Sequence, residues 1–102
     1  MEKVRIGVIG LGNRGYGMLK GELLRMPDVE VTAVCDIYPD RCERAVSAVR
    51  EASGREPFST TDYRCLLEKG CCDAVYNATS WEYHAEISIA AMRAGVAVGL
   101  EV

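Results

Sequence analysis

Short hydrophobic runs alternate with longer amphipathic stretches along the 102-residue chain. Runs rich in β-branched residues predict buried strands, and residues with apolar positions at helical spacing predict helices. The predicted strands are Val4 to Ile9, Val29 to Cys35, a short strand around Phe58, Asp73 to Ala78 and Val96 to Leu100. The predicted helices are Tyr16 to Met26, Pro39 to Gly54, Asp62 to Gly70 and Thr79 to Gly95. The predicted order is therefore βαβαβαβαβ.

This alternation predicts an α/β fold, a doubly wound parallel sheet with right-handed crossovers and helices on both faces. We find no internal repeat and no linker, so residues 1–102 are expected to form one domain. The chain ends on a strand with no helix to cover it. We therefore expect it to be the N-terminal part of a larger, two-domain protein.

The charge pattern limits the kinds of partner that the protein is expected to bind. The 12 Lys and Arg residues are scattered and outnumbered by 15 Asp and Glu residues, which argues against a nucleic-acid partner. Apolar runs are too short to span a membrane, and the first residues do not resemble a signal peptide. We therefore expect a cytoplasmic protein with no membrane association and a small-molecule partner.

The five cysteines are odd in number and include no C-x-x-C pair. Their spacing predicts neither a disulfide framework nor a metal site. We expect buried, reduced thiols that pack as small hydrophobic side chains.

The first strand is followed at once by a G-x-G-x-x-G motif. Its residues are Gly10, Leu11, Gly12, Asn13, Arg14 and Gly15. The first glycine permits a tight turn, the second lets the backbone approach a pyrophosphate, and the third lets strand and helix pack closely. The start of the helix offers free N–H groups to phosphates. This motif, between a strand and a helix, predicts a dinucleotide site, although a plain glycine turn in a flavodoxin-like domain is the alternative.

Asp36 strengthens the dinucleotide interpretation. It ends the second strand, 21 residues after Gly15, where a carboxylate would accept hydrogen bonds from the adenosine ribose. A carboxylate there repels a 2′-phosphate, so NAD is favoured over NADP. Two alternatives stay open: Asp36 as an exposed turn residue, and Arg41 as the partner of a phosphate. We interpret Arg41 as a solvated residue on the face of the next helix.

A second group of candidate residues follows the strand at 73–78, at the carboxyl edge where open α/β sheets bind ligands. Its members are Thr79, Ser80, Trp81, Glu82, Tyr83 and His84. They are expected to touch the nicotinamide half of the cofactor. Packing at a helix start and a structural hydrogen bond of His84 are the alternatives. Glu101 and Val102 end the last strand at the same edge.

These motifs together resemble the N-terminal NAD-binding Rossmann domain of the Gfo/Idh/MocA family. The resemblance rests on V-R-I-G-V-I-G-L-G-N-R-G at 4–15, V-T-A-V-C-D-I-Y at 31–38, T-D-Y at 61–63, D-A-V-Y-N-A-T at 73–79 and H-A-E-I-S-I-A-A-M-R-A-G at 84–95. Most oxidoreductases of the family end the last strand with Glu-Lys-Pro. Here Glu101 is followed by Val102, and with T-S-W-E-Y-H at 79–84 this is similar to the NAD-dependent glycosidases of glycoside hydrolase family 109.

The resemblance implies NAD contacts at Asn13, Arg14, Asp36, the run 81–84, and Glu101 with Val102. It also implies a full-length homo-oligomeric enzyme that oxidises a sugar, eliminates the aglycone, adds water and returns the hydride. The catalytic base and the sugar-binding residues would lie in the second domain, so no catalytic residue is assigned here and this stretch alone is expected to be inactive. An NAD-dependent sugar or polyol dehydrogenase and a non-catalytic NAD-binding module are the alternatives.

Overall fold

The computed structural model describes residues 3–79 and 81–100. The strands are β1 (Val4–Ile9), β2 (Val29–Cys35), β3 (Phe58–Thr60), β4 (Ala74–Asn77) and β5 (Ala97–Leu100). The helices are α1 (Asn13–Gly21), α2 (Pro39–Ser53), α3 (Tyr63–Lys69) and α4 (Trp81–Arg93), with a 3-10 turn at Leu23–Arg25. The predicted order βαβαβαβαβ is confirmed.

The strands form a single parallel sheet in the order β3-β2-β1-β4-β5. The chain runs outward from β1 to β3 in one direction, then returns to β4 beside β1 and continues outward to β5. The carboxyl ends of β1 and β4 therefore flank the point where the strand order reverses, and ligands of open α/β sheets bind at such a point. The predicted doubly wound α/β fold is confirmed.

Each face of the sheet is covered by two helices. On one face, Val8 and Val34 pack with Leu19 of α1 and Val49 of α2. On the opposite face, Leu66 of α3 and Ile87 of α4 cover a second cluster. That cluster also contains Ile9, Ala33 and Val75. Neighbouring residues of one strand point to opposite faces, so Val8 and Ile9 enter different clusters. Both faces of β1 are thus buried at its carboxyl end.

The predicted signals at the ends of α2 and α3 are confirmed, whereas those of α1 are not. Asp62 caps α3 by accepting a hydrogen bond from the N–H of Arg64 at 2.9 Å, and Gly54 ends α2 in the left-handed conformation. The prediction of a helix from Tyr16 to Met26 is wrong at both ends. The helix begins directly after Gly12, and it ends at Gly21 because Glu22 leaves the helical conformation. Glycine is a poor helix former, which favours this early end.

The cysteines are only partly as expected. All five are free, and Cys35, Cys42 and Cys72 are buried. Cys71 is half-buried, and the prediction of a buried thiol is wrong for Cys65, which α3 exposes to solvent. Among the described residues there is no group of three or more histidine, cysteine or acidic side chains that could hold a metal ion. No helix within 3–79 and 81–100 has the length and apolar character to cross a membrane.

Candidate functional site

A cavity of about 780 Å³ opens at the carboxyl edge of the sheet. Its walls come from the loop after β1, the β2–α2 turn, the start of α3, and the β4–α4 turn with the first turns of α4. Among the residues that line it are Gly10, Gly12, Asp36, Tyr38, Arg41, Tyr63, Thr79, Tyr83 and Glu86. The volume lies within the roughly 300–1,000 Å³ typical of small-molecule and cofactor sites. The cavity lies at the topological switch point.

The three glycines of the loop are under different constraints. Gly10 has φ +93°, and a Cβ atom there would lie 2.8 Å from the Ala78 carbonyl. A Cβ atom on Gly15 would lie 1.8 Å from the carbonyl oxygen of Gly10. Gly12 has an ordinary extended conformation, and its virtual Cβ meets only Nη1 of Arg41, at 3.5 Å. Close packing thus requires glycine at 10 and 15, whereas position 12 leaves an open cradle on the cavity side.

The start of α1 has no side-chain cap, because its N-cap residue is Gly12. Such an end carries a partial positive charge and can bind an anion. Asn13 and Arg14 are exposed on the first turn and are not part of the cavity lining. The side chain of Leu11 is fully buried in the core, so only its backbone can take part in the site.

Asp36 joins the end of β2 to the glycine loop. Its Oδ2 accepts a hydrogen bond from the N–H of Leu11 at 2.7 Å, and its Oδ1 accepts one from the N–H of Tyr38 at 2.9 Å. The residue is 6% exposed, so the alternative of an exposed turn residue is wrong. The carboxylate therefore sets the position of the loop from a buried site beside the cavity.

The side chain of Arg41 is 43% exposed, in keeping with a surface residue of α2, but it also contacts the site. Its guanidinium lies 4.7 Å from the centre of the Tyr38 ring, and Nη1 is 3.8 Å from Oδ2 of Asp36. Both Arg41 and Tyr38 line the cavity. Pro39 lies in the first turn of α2, where its fixed φ suits a helix start, and Arg41 belongs to the same turn.

Asn77, which the sequence analysis did not single out, holds the β4–α4 turn. Its Nδ2 donates to the carbonyl of His84 and to Oγ of Ser88, both at 2.9 Å. Its Oδ1 accepts from the N–H of Thr79 at 3.2 Å and from Oγ1 of Thr79 at 2.6 Å. The side chain is fully buried with its hydrogen-bonding capacity used. A polar residue inside a buried strand is the signal that could have identified it.

The structure brings part of the second predicted group to the cavity. Thr79 and Tyr83 line it, and Tyr83 is half-exposed. Nε2 of His84 is buried and has no hydrogen-bond partner in the described part of the chain. Such an atom costs free energy unless a ligand or another segment pairs with it. The side chains of Trp81 and Glu82, and the whole of Ser80, Glu101 and Val102, lie outside the described residues.

A hydrogen bond between α3 and α4 closes the opposite wall of the cavity. The hydroxyl of Tyr63 donates to Oε2 of Glu86 at 2.9 Å. Both residues line the cavity. Sequence analysis missed this pair because the two residues are 23 positions apart and belong to different helices.

These features fit a dinucleotide. The cradle over Gly12 and the uncapped start of α1 suit a pyrophosphate, and Asp36 stands at the strand end that a ribose would approach. His84 is not among the residues that line the cavity, and its buried Nε2 lies one residue beyond Tyr83, which does line it.

Comparison with known proteins agrees with this geometry. The model of the Gfo/Idh/MocA family matches residues 4–101 of this chain. This family is described as "Oxidoreductase family, NAD-binding Rossmann fold". A glycosyl hydrolase family 109 protein from Stenotrophomonas maltophilia is 49% identical over 106 residues, covering 98% of this chain and 23% of its own length.

Two solved structures are similar. KijD10, a 3-ketoreductase from Actinomadura kijaniata in complex with NADP and TDP-benzene, has a TM-score of 0.81 and 32% identity, covering 97% of this chain and 29% of its own. A myo-inositol 2-dehydrogenase from Lactobacillus plantarum shares the fold at a TM-score of 0.83 and 24% identity, covering 97% of this chain and 28% of its own. The chain thus spans under a third of the length of these relatives. The match over residues 4–101 shows that it belongs to the Gfo/Idh/MocA family and forms that family's NAD-binding Rossmann domain.

Proposed function

We propose that the cavity binds NAD in an extended conformation along the carboxyl edge of the sheet. The backbone at Gly12 and the start of α1 would hold the pyrophosphate, and Asp36 the adenosine ribose. Thr79, Tyr83 and His84 would border the nicotinamide. The positions of Asp36 and Thr79 support this orientation of the cofactor. Asp36 lies at the end of β2, and Thr79 follows β4 on the far side of β1, so the two residues stand at opposite ends of the cavity edge.

For the full-length protein we propose a redox-neutral, NAD-dependent glycosidase. The observation that carries this proposal is the 49% identity with a glycosyl hydrolase family 109 protein over 98% of the chain. NAD supplies a hydride acceptor that lets a sugar be oxidised and then reduced again. The residues of this chain bind and orient that acceptor, while the base and the sugar contacts belong to the remainder of the full-length protein.

A sugar dehydrogenase or ketoreductase with net redox change is the second candidate. It is favoured by the 32% identity with KijD10, which is a 3-ketoreductase. The two candidates differ in the fate of the hydride: a glycosidase returns it to the same sugar, and a dehydrogenase releases it as NADH.

Cofactor binding is tested by calorimetric titration with NAD. We expect the wild-type protein to bind NAD and Asp36→Ala to bind it at least roughly tenfold more weakly, about the loss of one charged hydrogen bond. Asp36→Asn keeps the shape but changes the hydrogen-bonding pattern and serves as the matched variant. If Asp36→Ala binds NAD as well as the wild type does, the ribose contact is wrong.

The reaction is tested with the full-length protein and an aryl α-N-acetylgalactosaminide, a substrate chosen by resemblance. Release of the aryl group without accumulation of NADH is the expected result. Deuterium at C2 of the sugar should exchange with solvent, because elimination requires removal of that proton. NADH that accumulates in step with sugar consumption, without aryl release, would establish the dehydrogenase instead. Absence of any turnover with these sugars would favour a non-catalytic module. A cytoplasmic location and a homo-oligomeric full-length protein stay predictions.

A further inference from the structure

We propose that Cys71 and Cys72 form a redox-modification site, at which a peroxide converts the two thiols into a reversible disulfide between neighbouring residues. The pair lies just before β4, at the amino edge of the sheet, and neither residue lines the cofactor cavity. The inference is therefore independent of the proposed function. It departs from the expectation that these cysteines only pack as small hydrophobic side chains.

The two sulfur atoms are already in contact. Sγ of Cys71 lies 3.8 Å from Sγ of Cys72, and both thiols are free. Cys71 is half-buried, so a small oxidant in solvent can reach it. Cys72 is only 9% exposed and belongs to the hydrophobic cluster that contains Leu66. Cys72 is thus shielded from solvent, but not from a reactive group that forms on Cys71.

Thr32 on β2 orients the thiol of Cys72. The hydroxyl of Thr32 donates to the carbonyl of Cys71 at 2.8 Å, and its Oγ1 lies 3.4 Å from Sγ of Cys72. A hydroxyl has one proton to donate, so the thiol of Cys72 is the donor in its contact with Thr32. The lone pairs of the Cys72 sulfur are thus left for the contact with Cys71.

Arg5 places a positive charge near both thiols. Burial raises the pKa of Cys72 to about 12, and the hydrogen bond with Thr32 and the charge of Arg5 act against this rise. The thiolate is the attacking species when a disulfide forms, so the high pKa slows the reaction of Cys72 with a dissolved reagent. Contact with Cys71 gives the intramolecular step a high effective concentration, which favours that step over all others.

The disulfide forms in two steps. Hydrogen peroxide first oxidises the thiol of Cys71 to a sulfenic acid and is itself reduced to one water molecule. The sulfur of Cys72 then attacks the sulfur of the sulfenic acid. The S–S bond forms as the S–O bond breaks, and the hydroxyl group leaves with the proton of Cys72 as a second water molecule. Together the two thiols lose two hydrogen atoms and two electrons to the peroxide.

Strain should make this disulfide easy to reduce. Neighbouring Cα atoms across a trans peptide are about 3.8 Å apart, which is less than the roughly 4.4–6.8 Å usual for a disulfide. The sulfur of Cys72 would also leave Thr32 and its place beside Gly7, where a virtual Cβ lies 2.8 Å from it. Strained disulfides are the more reducible ones, so a small thiol should restore both cysteines.

Peptide mapping of the full-length protein tests the inference. Trypsin cleaves after Arg64, Lys69 and Arg93, so both thiols lie in peptide 70–93, and Cys65 lies in the separate peptide 65–69. After treatment with hydrogen peroxide and alkylation in denaturant, we expect peptide 70–93 to lack two hydrogen atoms and to carry no alkyl group. Dithiothreitol should restore both thiols. Oxidation of Met92 in the same peptide adds an oxygen atom and is distinguished by mass.

Variants separate the two steps. In Cys72→Ser the sulfenic acid of Cys71 has no partner, so dimedone should label Cys71 roughly tenfold more than in the wild type. In Cys71→Ser the buried Cys72 should stay reduced. Cys65→Ser is the matched control, because it removes an exposed thiol from α3 and should leave the disulfide unchanged.

Three results would overturn the inference. One is equal dimedone labelling of Cys71 in the wild type and in Cys72→Ser. Another is a peptide 70–93 that keeps both thiols while Cys65 is oxidised. The third is a disulfide that links two molecules through Cys71 in place of the bond to Cys72.

Discussion

Single atoms decide the tolerance of the glycine loop to substitution. A methyl group on Gly12 meets only the flexible end of Arg41, so Gly12→Ala should fold with a loss of stability within about 1 kcal/mol, the cost of alanine at an N-cap. The same methyl group would occupy the cradle proposed for the pyrophosphate. We therefore expect NAD affinity to fall by at least roughly tenfold, measured by calorimetry.

Gly15→Ala is the contrasting variant. Its methyl group would overlap the backbone of Gly10 at 1.8 Å, so we expect a loss of about 3 kcal/mol or more in chemical denaturation. If Gly12→Ala binds NAD with wild-type affinity, the pyrophosphate does not lie against position 12.

Asn77 is the residue on which the β4–α4 turn depends. Asn77→Ala would remove partners from Thr79, His84 and Ser88 inside the protein, so we expect a loss of roughly 2–4 kcal/mol in denaturation. NAD affinity should fall as well, because Thr79 would no longer be held beside the cavity. Ser88→Ala removes one of these hydrogen bonds and should cost about 1 kcal/mol with unchanged NAD affinity. An Asn77→Ala variant that is as stable as the wild-type protein would contradict this account.

At the scale of elements, β1 and β4 are joined at their amino ends by an ion pair. Arg5 donates from Nη2 to Oδ1 of Asp73 at 2.9 Å, and its backbone N–H donates to Oδ2 at 3.0 Å. The hydrogen bonds and charge of Arg5 hold the pKa of Asp73 below its ordinary value of 3.8. This pair lies at the sheet edge opposite the cavity.

A lowered pKa in the folded state means that the unfolded chain binds the proton more tightly at this site. The contribution of Asp73 to the stability of the fold is therefore complete above pH 3.8. It is lost as the pH falls through the lower pKa that Asp73 has in the folded state. Urea denaturation from about pH 5 to pH 2 should show this loss in the wild type, and a smaller one in Asp73→Asn. NAD binding at neutral pH should be unchanged in Asp73→Asn. An identical pH dependence of the two proteins would show that the pair does not contribute.

At the scale of the whole molecule, thiol reactivity should report global unfolding. Burial raises the pKa of Cys35 and of Cys72 to about 12, because a thiolate is poorly solvated in the core. Burial raises the pKa of Cys42 as well. Since the thiolate is the nucleophile, we expect a thiol reagent at neutral pH to modify exposed Cys65 first, then half-buried Cys71.

The three buried thiols should react only as the protein unfolds, at a rate that rises with urea. Cys65→Ser should remove the fast phase and leave the slow phase unchanged. Modification of Cys35 as fast as that of Cys65 in the native protein would mean that the sheet opens locally around β2.

The sequence by itself determined the order of strands and helices, the glycine loop and Asp36. These follow from short-range signals: hydrophobic period, helix-ending glycines, and the spacing of a loop and a strand end. Such signals depend on a residue and its near neighbours in the chain, so they are visible without a structure. They predict the end of a helix less well, as α1 shows. Gly17 and Gly21 weaken that helix, so tertiary packing also influences where it ends.

Only the tertiary structure decided which side chains meet. Arg41 lies in a polar stretch of α2 typical of a solvated face, yet its Nη1 is 3.8 Å from Oδ2 of Asp36 in the folded protein. Asn77 with Ser88, and Tyr63 with Glu86, are paired by the packing of separate elements. The exposure of Cys65 likewise depends on which face α3 turns toward the sheet. Contacts between distant segments arise from packing in three dimensions, and no local pattern encodes them.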